Sequence, residues 1–520
     1  MGVEYRSHDG FAGGATVMMG RQRKQTNFAD IQAWMRAPVV AEDSFYGRMA
    51  RFGERLVREE WFREMYSDRG RPSVPPVLLS KVLLLMFYEN LSDRQAEERA
   101  RYDLRWKVAL GLGIDETGFD STSLCRFRAR LVMHGKERRF FEETVRIARE
   151  YGLIKAEVAE VIDSTAVLGA GAVQDTYNLL KSAIRKVLKV VKAQGGSTYN
   201  SLLESMKRND YNEIGKPEID WDDKAAQKRL LNDFVHDARA VLKETEGLEL
   251  DAVGKAAREL LAAVAEQDIE EQPDGTVKLK DGVARDRVIS TTDPEMRHGR
   301  KSSKGRFDGY KAHVMEEPEA EVITGVAVTA ANVADAEALP EMLGQQKEIG
   351  ITVSKVTGDT AYGSGPVRAE MLERGIKLIA PVPPEKKGEF LPKSAFEIDL
   401  EGRKCRCPAG HVVDIEGHKK PGQSGLARFG DLCETCPLRY LCTKSKMGRA
   451  VAINRYEELI QQGRAEQETE VFKLEYRQRP IVERKIAELV RHGMRKARYI
   501  GKVKVLLQLA WTAAVVNIKR

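Results

Sequence analysis

The sequence lacks the long apolar run that a membrane-spanning helix requires. Its most apolar stretches, residues 77–88 and 505–518, are too short to cross a bilayer core of about 30 Å, and the first contains Lys81. The first residues, "MGVEYRSHDGFAGG", also lack an apolar signal-peptide segment. These absences argue against a membrane protein, and we expect a cytoplasmic one.

Cysteine is scarce and unevenly distributed. Only six cysteines occur in 520 residues, and five of them fall between residues 405 and 442. In a reducing compartment such clustering favours metal binding over disulfides. A strong charge of one sign is lacking too, since the formal net charge is +7 with 31% charged residues. This balance permits a polyanionic partner but fits a solvated surface equally well.

Hydrophobic periodicity divides the chain into helical and strand-containing regions. Three- and four-residue spacing predicts helices over residues 44–110, 119–131, 172–270 and 451–520. Between them lie short apolar runs typical of buried strands, at residues 157–167, 307–315, 321–330, 353–357 and 377–383. Strands that alternate with helices predict an α/β layer.

Two aspartates are predicted to lie where strands leave the core. Asp163 follows an apolar run, and Asp359 follows a strand that ends at Val356 or Thr357. In α/β sheets, functional groups collect beyond the strand ends. Carboxylates on neighbouring strands repel one another unless a cation neutralises them, and Mg²⁺ prefers such oxygen ligands. Each aspartate alone fits a turn or cap residue, so the hypothesis depends on a third acid.

The segment "EYRQRPIVERKIAEL" offers that acid. On an ideal helix, Tyr476, Arg479 and Glu483 lie at positions i, i+3 and i+7 and share one face. A carboxylate beside an arginine suits a site that binds metal and phosphate together. Pro480 leaves two alternatives open, because it fits the first turn of a new helix or a kink in a longer one.

With these residues in view, the chain resembles the bacterial insertion-sequence transposases of the DDE class. The similarity begins near residue 20 and includes "RPSVPP", "VIDSTAV", "DPEMRHGRKSSKGRFDGYKAHV", "GDTAYGS" and the Y-x2-R-x3-E motif. It implies that Asp163, Asp359 and Glu483 are the catalytic, metal-binding acids, which Tyr476 and Arg479 accompany. Some relatives carry a lysine seven residues after the glutamate, where this chain has Val490, so that role is unassigned.

The resemblance also implies a fold and a division into domains. The fold is α/β, with an RNase H-like mixed sheet flanked by helices, a helical N-terminal domain, a helical insertion and a Cys-rich insertion. The predicted parts are a partly disordered segment (1–43), a helical DNA-binding domain (44–150), a catalytic core (155–170, 285–383 and 451–520), the helical insertion (171–284) and the Cys-rich, zinc-binding insertion (384–450).

The activity implied by the resemblance is metal-dependent DNA cleavage followed by strand transfer. Two Mg²⁺ or Mn²⁺ ions are the implied cofactors. The implied partner is double-stranded DNA, both element ends and target, bound by a homodimer at the bacterial nucleoid. A DDE nuclease that cuts without joining is one alternative. Another is a transposase-derived DNA-binding regulator, although binding alone does not require three acids.

Three pairs of basic residues are candidates for DNA contact. Arg126 and Arg130 share one face of the helix 119–131, as on a DNA-reading helix. Other basic pairs lie in the polar loop 297–306 and behind Glu483, where phosphates could be neutralised. These residues are Arg300, Lys301, Arg495 and Lys496. The alternatives are a surface helix with solvated arginines for the first pair and a disordered charged loop for the second.

The Cys-rich segment is predicted to be irregular and to bind a structural metal. A C-x2-C pair with a further cysteine six residues on is typical of Zn²⁺ sites. The predicted ligands are Cys407, Cys433, Cys436 and Cys442, with Cys405 or His411 as substitutes for one of them. An iron–sulfur cluster and unliganded thiols remain alternatives. The isolated Cys125 is predicted to be a small core residue.

Overall fold

The structure is a computed structural model that describes residues 40–520, except residues 68, 195, 214, 302–304, 386–387 and 418–421. Most of the predicted N-terminal segment, residues 1–43, therefore lies outside the described residues. Across the described part of the chain, no helix is both long and apolar enough to cross a membrane.

The described chain begins with a helical region, as predicted. Its helices are α1 (Phe45–Leu56), α2 (Pro76–Glu89), α3 (Asp93–Tyr102), α4 (Leu104–Leu110), α5 (Ser121–Met133) and α6 (Arg139–Glu150), with a 3-10 helix at Glu59–Met65. Helix α2 is apolar on nearly every side and is buried accordingly. Ser92 and Gln95 form a capping box at the start of α3.

Strand β1 (Glu157–Leu168) follows and leads into a separate helical bundle. The bundle contains α7 (Thr176–Gln194), α8 (Gly196–Ser205), α9 (Lys224–Glu244), α10 (Ala252–Gln267) and a hairpin of β2 (Ile269–Glu271) and β3 (Val277–Leu279). Its buried side chains, among them Phe234 and Leu261, form a hydrophobic cluster of their own.

The main sheet has six strands of mixed direction. After β1 they are β4 (Arg297–Arg300), β5 (Arg306–Glu317), β6 (Val322–Ala330), β7 (Thr352–Thr357) and β8 (Lys377–Ile379), with α11 (Leu339–Glu348) and α12 (Gly365–Glu373) between them. Strand β5 pairs antiparallel with β1, β4 and β6, whereas β7 pairs in parallel with β1 and β8. The predicted mixed α/β architecture is confirmed.

The Cys-rich segment is not irregular, contrary to the prediction. It forms a second, antiparallel sheet in the order β13-β12-β11-β10-β9. The strands are β9 (Glu397–Asp399), β10 (Lys404–Arg406), β11 (Val412–Glu416), β12 (Gln423–Arg428) and β13 (Ala450–Asn454), with the short helix α13 (Arg439–Cys442). These strands are short and mostly polar on one face, so hydrophobic patterning alone did not reveal them.

The chain ends in helices that close the main core. They are α14 (Glu457–Gln467), α15 (Glu470–Tyr476), α16 (Pro480–Leu489) and α17 (Lys502–Lys519). Helix α17 is buried along most of its length, and Trp511 stacks on Phe140 of α6 with 4.9 Å between ring centroids. One hydrophobic cluster thus joins the N-terminal helices, the mixed sheet and α17.

Candidate active site

Asp163 lies within strand β1, not beyond its end as predicted. The strand continues for five residues after Asp163, because β5 remains paired with it and places Val314 opposite the aspartate. The parallel pairing of β1 with β7, however, ends at Val161 and Thr357. Asp163 therefore lies in the part of β1 that pairs with β5 but no longer pairs with β7.

Asp359 follows β7 directly, as predicted. Both aspartates are two residues beyond the last parallel pair, Val161 and Thr357. Asp163 lies on the same face of the sheet as Val161, and the carboxylate of Asp359, in the turn after β7, raises the pKa of Asp163 besides burial. The backbone N–H of Ala361 donates to Asp359 Oδ1 at 2.9 Å, which fixes the carboxylate at the start of the turn.

The segment that carries Glu483 resolves the alternatives for Pro480. Helix α15 ends at Tyr476, and α16 begins with Pro480 in its first turn. The expectation that Tyr476, Arg479 and Glu483 share one face of a single helix is therefore wrong, since Arg479 lies at the junction of two helices. Proline favours this arrangement because its ring suits the first helical position, where no N–H is needed.

Arg479 joins the first and third acids. Its guanidinium donates from Nη2 to Asp163 Oδ2 at 3.0 Å and from Nη1 to Glu483 Oε1. Burial alone would lower the pKa of Arg479, but Asp163 and Glu483 raise it overall. The arginine is therefore a fixed positive charge between two carboxylates that are 320 positions apart in the chain by residue number.

The environment makes the acid site receptive to positive charge. Burial raises the pKa of Asp163, and nearby Asp359 and Glu483 raise it further, whereas the Ser164 N–H and Arg479 oppose the shift. The three carboxylates thus act on one another electrostatically. Removing Arg479 without a replacement cation would leave them to repel each other.

Several polar residues at this site were missed by the sequence analysis. Asp335, in the 3-10 helix after β6, accepts hydrogen bonds from Ser164 Oγ at 2.9 Å and Lys311 Nζ at 2.6 Å. Burial and the carboxylates of Asp335, Asp163 and Asp359 raise the pKa of Tyr362, whose phenol is therefore a neutral donor. Asp335 follows a predicted strand, so the signal that identified Asp359 could have identified it as well.

The acids match the chemistry of a magnesium site, although they do not form a closed ligand set. In the described part of the chain, no group of three or more His, Cys, Asp or Glu side chains is arranged to hold a metal ion. The Arg479 guanidinium lies between two of the acids instead. Carboxylate oxygens nevertheless are the donors that Mg²⁺ and Mn²⁺ prefer.

Two of the predicted DNA-contact pairs flank the sheet. Arg495 lies beside the end of β1, where its guanidinium donates to Thr165 Oγ1 at 3.2 Å and its carbonyl accepts from the Leu168 N–H at 3.0 Å. Its neighbour Lys496 is exposed. Arg300 and Lys301 are exposed at the tip of the β4–β5 hairpin.

The third pair lies on α5, and only one of its members is exposed. Arg126 is exposed, whereas the Arg130 guanidinium stacks 4.5 Å above the Tyr66 ring. Asp120 caps this helix through its Oδ1, which accepts from the Thr122 N–H at 2.8 Å. Cys125 is exposed on the same helix, so its assignment as a core residue is wrong.

The predicted zinc ligands converge without forming a metal site. A small cavity of about 20 Å³ is lined by Cys407, His411, Cys433, Cys436 and Cys442. Cys405 is not among the lining residues, and burial raises its pKa to about 11. Because no three metal-binding side chains of the described residues are suitably arranged, the structure gives the zinc prediction no direct support.

Comparison with known protein families gives three matches. Models described as a transposase DDE domain match residues 277–395 and 406–520, and a model described as a transposase domain (DUF772) matches residues 37–130. Asp359 and Glu483 fall within the first two matches, whereas Asp163 lies outside all three. No curated protein and no solved structure matches the chain.

Proposed function

Because the chain belongs to the DDE-class insertion-sequence transposases, we propose that it binds the ends of a mobile DNA element and cleaves and joins phosphodiester bonds there. The observation that carries this proposal is the contact of Arg479 with both Asp163 and Glu483. These contacts join two acids from distant segments where β1 loses its β7 partner, and Asp359 follows that neighbouring strand.

Asp163, Asp359 and Glu483 would hold the divalent cations, two Mg²⁺ or Mn²⁺ ions. The cations, when bound, would activate the attacking hydroxyl and neutralise the charge that develops on the phosphate. The protein residues bind the cations and fix their position relative to the DNA. The oxygen-only donor set and the mutual repulsion of the acids support this role.

Tyr476 and Arg479 are proposed to contact a DNA phosphate near the acids. Arg479 donates hydrogen bonds to both Asp163 and Glu483. Once cations neutralise the acids, the guanidinium is available for a phosphate, which it can bind with two parallel hydrogen bonds. Tyr476 stacks on Phe472 at the end of α15, with 5.7 Å between ring centroids. This contact fixes the tyrosine ring close to Arg479.

The other basic residues are proposed to guide the DNA backbone. Arg495 and Lys496 lie beside the end of β1, on the strand that carries Asp163. Arg300, Lys301 and Arg126 are exposed, as phosphate contacts require. Arg130 is proposed to contact DNA as well, and it also has a structural role because its guanidinium stacks on Tyr66. We also propose a homodimer in the DNA complex, because two element ends must be held together for joining.

The mixed sheet is proposed to be an RNase H-like core. Three antiparallel strands (β6, β5 and β1) continue into two parallel ones (β7 and β8), as that fold requires. The proposed catalytic core comprises residues 155–170, 285–383 and 451–520. The separate hydrophobic cluster of residues 171–284 supports their assignment as an insertion, and the second sheet does the same for residues 384–450.

A structural Zn²⁺ at Cys407, Cys433, Cys436 and Cys442 is a separate proposal. The common cavity supports it, and so does the Arg449 N–H, which donates to Cys433 Sγ at 3.4 Å. Backbone N–H donors of this kind stabilise thiolates. His411, which lines the same cavity, is a better substitute ligand than Cys405.

The proposed function is tested with purified protein, DNA that contains the flanks of its own coding region, and Mg²⁺. Cleavage at the element ends and joining to target DNA are measured separately. A transposase gives both products, and Asp163→Asn gives neither. Cleavage without joining identifies the nuclease alternative. Binding without cleavage, unchanged by Asp163→Asn, identifies the regulator and overturns the proposal.

A further inference from the structure

Tyr362 carries a buried polar group that the proposed mechanism does not use. Its side chain is fully buried, and its hydroxyl has no hydrogen-bond partner among the described residues. A buried hydroxyl without a partner lowers stability, so such groups are rare and call for a physical reason. The reason can be found in what surrounds it.

The tyrosine ring is fixed beneath the acid site. The backbone N–H of Tyr362 donates to the Asp359 carbonyl at 3.1 Å, and besides burial the carboxylates of Asp335, Asp163 and Asp359 raise the pKa of its phenol. Its ring packs against the backbone at Gly358, where an added Cβ would come within 2.8 Å of Tyr362 Cδ2. The glycine before Asp359 is therefore required for the ring to fit, and the ring packs against the turn that carries Asp359.

Asp335 connects the same region to strand β1. Its carboxylate holds Ser164 Oγ at 2.9 Å and Lys311 Nζ at 2.6 Å. Ser164 in turn donates its backbone N–H to Asp163 Oδ1 at 2.7 Å. Asp335 thus fixes the position of the residue that follows Asp163, and it forms an ion pair with Lys311.

We propose that Tyr362 and Asp335 are positioning residues for Asp163. The Tyr362 hydroxyl donates a hydrogen bond to the Asp163 carboxylate when a divalent cation replaces the Arg479 guanidinium beside it. Asp335 remains hydrogen-bonded to Ser164, so that the backbone of β1 keeps its position while the Asp163 carboxylate changes its orientation. This inference rests on the proposed function, because it assumes that Asp163 binds the cation.

Tyr362→Phe tests the inference, because it removes only the hydroxyl. Mn²⁺ binding to the full-length protein without DNA is measured by calorimetry, and cleavage is measured as a function of Mg²⁺ concentration. We expect the loss of one hydrogen bond to weaken Mn²⁺ binding about five- to tenfold and to raise the half-saturating Mg²⁺ concentration equally. The rate at saturating Mg²⁺ should change little. The melting temperature without cations should stay constant or rise.

Asp335→Asn extends the test to the second residue. The amide still offers Ser164 an acceptor but no longer neutralises Lys311. We expect Mn²⁺ binding to weaken in the same direction as for Tyr362→Phe. The matched control is Tyr211→Phe in the helical bundle, where the buried hydroxyl already donates to Asp237 at 2.7 Å. That variant should lose stability and keep the affinity of the wild type for Mn²⁺.

Two outcomes overturn the inference and spare the proposed function. One is Tyr362→Phe with the Mn²⁺ affinity and Mg²⁺ dependence of the wild type. The other is a loss of stability like that of Tyr211→Phe, with no change in cation binding, which would make the hydroxyl purely structural. If Asp163→Asn itself leaves Mn²⁺ binding and cleavage unchanged, the proposed function fails and the inference with it.

Discussion

The acid site and the cysteine cavity are both assembled from residues far apart in the chain, but different interactions hold them together. At the acid site, the carboxylates project from a sheet with a large hydrophobic core, and Arg479 supplies an internal cation. The cysteines line a cavity over a small cluster, where the Arg449 guanidinium donates to the backbone carbonyl of Cys442 and does not lie between two thiols as Arg479 lies between two acids. The acids can therefore be positioned without metal, whereas the thiols depend more strongly on one.

The largest expected effect is the loss of cleavage when an acid is neutralised. Asp163→Asn, Asp359→Asn and Glu483→Gln should each lower the cleavage rate at least about a thousandfold. Binding to the element ends should persist, and Asp359→Asn, which breaks no ion pair with Arg479, should not lower the melting temperature, because it reduces repulsion between carboxylates. Gel-shift, cleavage and thermal unfolding assays check the three expectations. Cleavage by Glu483→Gln near the rate of the wild type would remove Glu483 from the site.

The cysteine region should respond in its folding more than in its chemistry. A structural Zn²⁺ site supplies on the order of 10 kcal/mol of folding free energy. Cys433→Ser combined with Cys436→Ser should therefore abolish zinc binding and expose residues 397–454 to protease. Elemental analysis of the purified protein should give about one zinc per chain.

The exposed Cys125 provides the control for that experiment. Cys125→Ser should retain both the zinc and the protease resistance. Wild-type protein that contains no metal and resists protease in this region would show that the thiols are unliganded. The two sites would then differ only in the size of the hydrophobic cluster beneath them.

The same comparison explains what the sequence could predict. The alternation of strands and helices, the positions of Asp359 and Glu483 and the convergence of the cysteines are local or nearly local signals. The pairing of β1 with β5 beyond Asp163 is not, because it depends on a partner strand more than 140 positions away. Sequence patterning predicted the strand over residues 157–167, close to its observed bounds, but it had no signal that Asp163 lies inside the paired region.

The residues around the acids were missed for a related reason. Tyr362 lies within the segment "GDTAYGS", but its ring packs at Gly358, which Ile162 of another strand also approaches. Arg479 was predicted to bind DNA, yet its contact with Asp163 requires the break between α15 and α16. Such tertiary relations have no periodicity that could be recognised in one sequence.

Arg479→Gln should separate cation binding from cleavage. Without the guanidinium, Asp163 and Glu483 lose their internal counter-charge, so Mn²⁺ should bind more tightly than to the wild type. Cleavage should nevertheless fall roughly 10- to 100-fold, because a phosphate contact is lost as well. Calorimetry and cleavage at saturating Mn²⁺ measure the two effects.

A neighbouring arginine supplies the comparison for this variant. Arg484 lies on α16, the helix that begins directly after Arg479, and pairs with Glu321 at 3.4 Å, away from the acids. Arg484→Gln should alter neither cation affinity nor cleavage at saturating Mn²⁺. Weaker Mn²⁺ binding by Arg479→Gln would contradict the view that the guanidinium occupies the place of a cation.

The exposed basic hairpin tip should contribute less and act on all DNA sequences alike. Arg300→Ala with Lys301→Ala should weaken binding and reduce the slope of log K against log salt by about one unit for each lost phosphate contact. Lys224→Ala with Lys228→Ala, on the exposed surface of α9, removes the same charge and should leave the slope nearly unchanged. Equal slopes for both double variants would mean that the hairpin tip makes no phosphate contact.

The smallest expected effect concerns Glu316, a buried residue of the same sheet. Its carboxyl oxygens have no hydrogen-bond partner among the described residues. Burial raises the pKa of Glu316 to about 8, although Lys485 opposes the shift. Because the folded protein disfavours ionised Glu316, stability should fall as the pH rises from about 4.5 towards about 8. Glu316→Gln cannot ionise, so it should match the wild type near pH 5 and melt roughly 2 to 4 °C higher near pH 8.5. Thermal unfolding at both pH values measures this difference. A constant offset between the two proteins at every pH would mean that Glu316 is ionised throughout, and the contrast with Asp163 would then be lost.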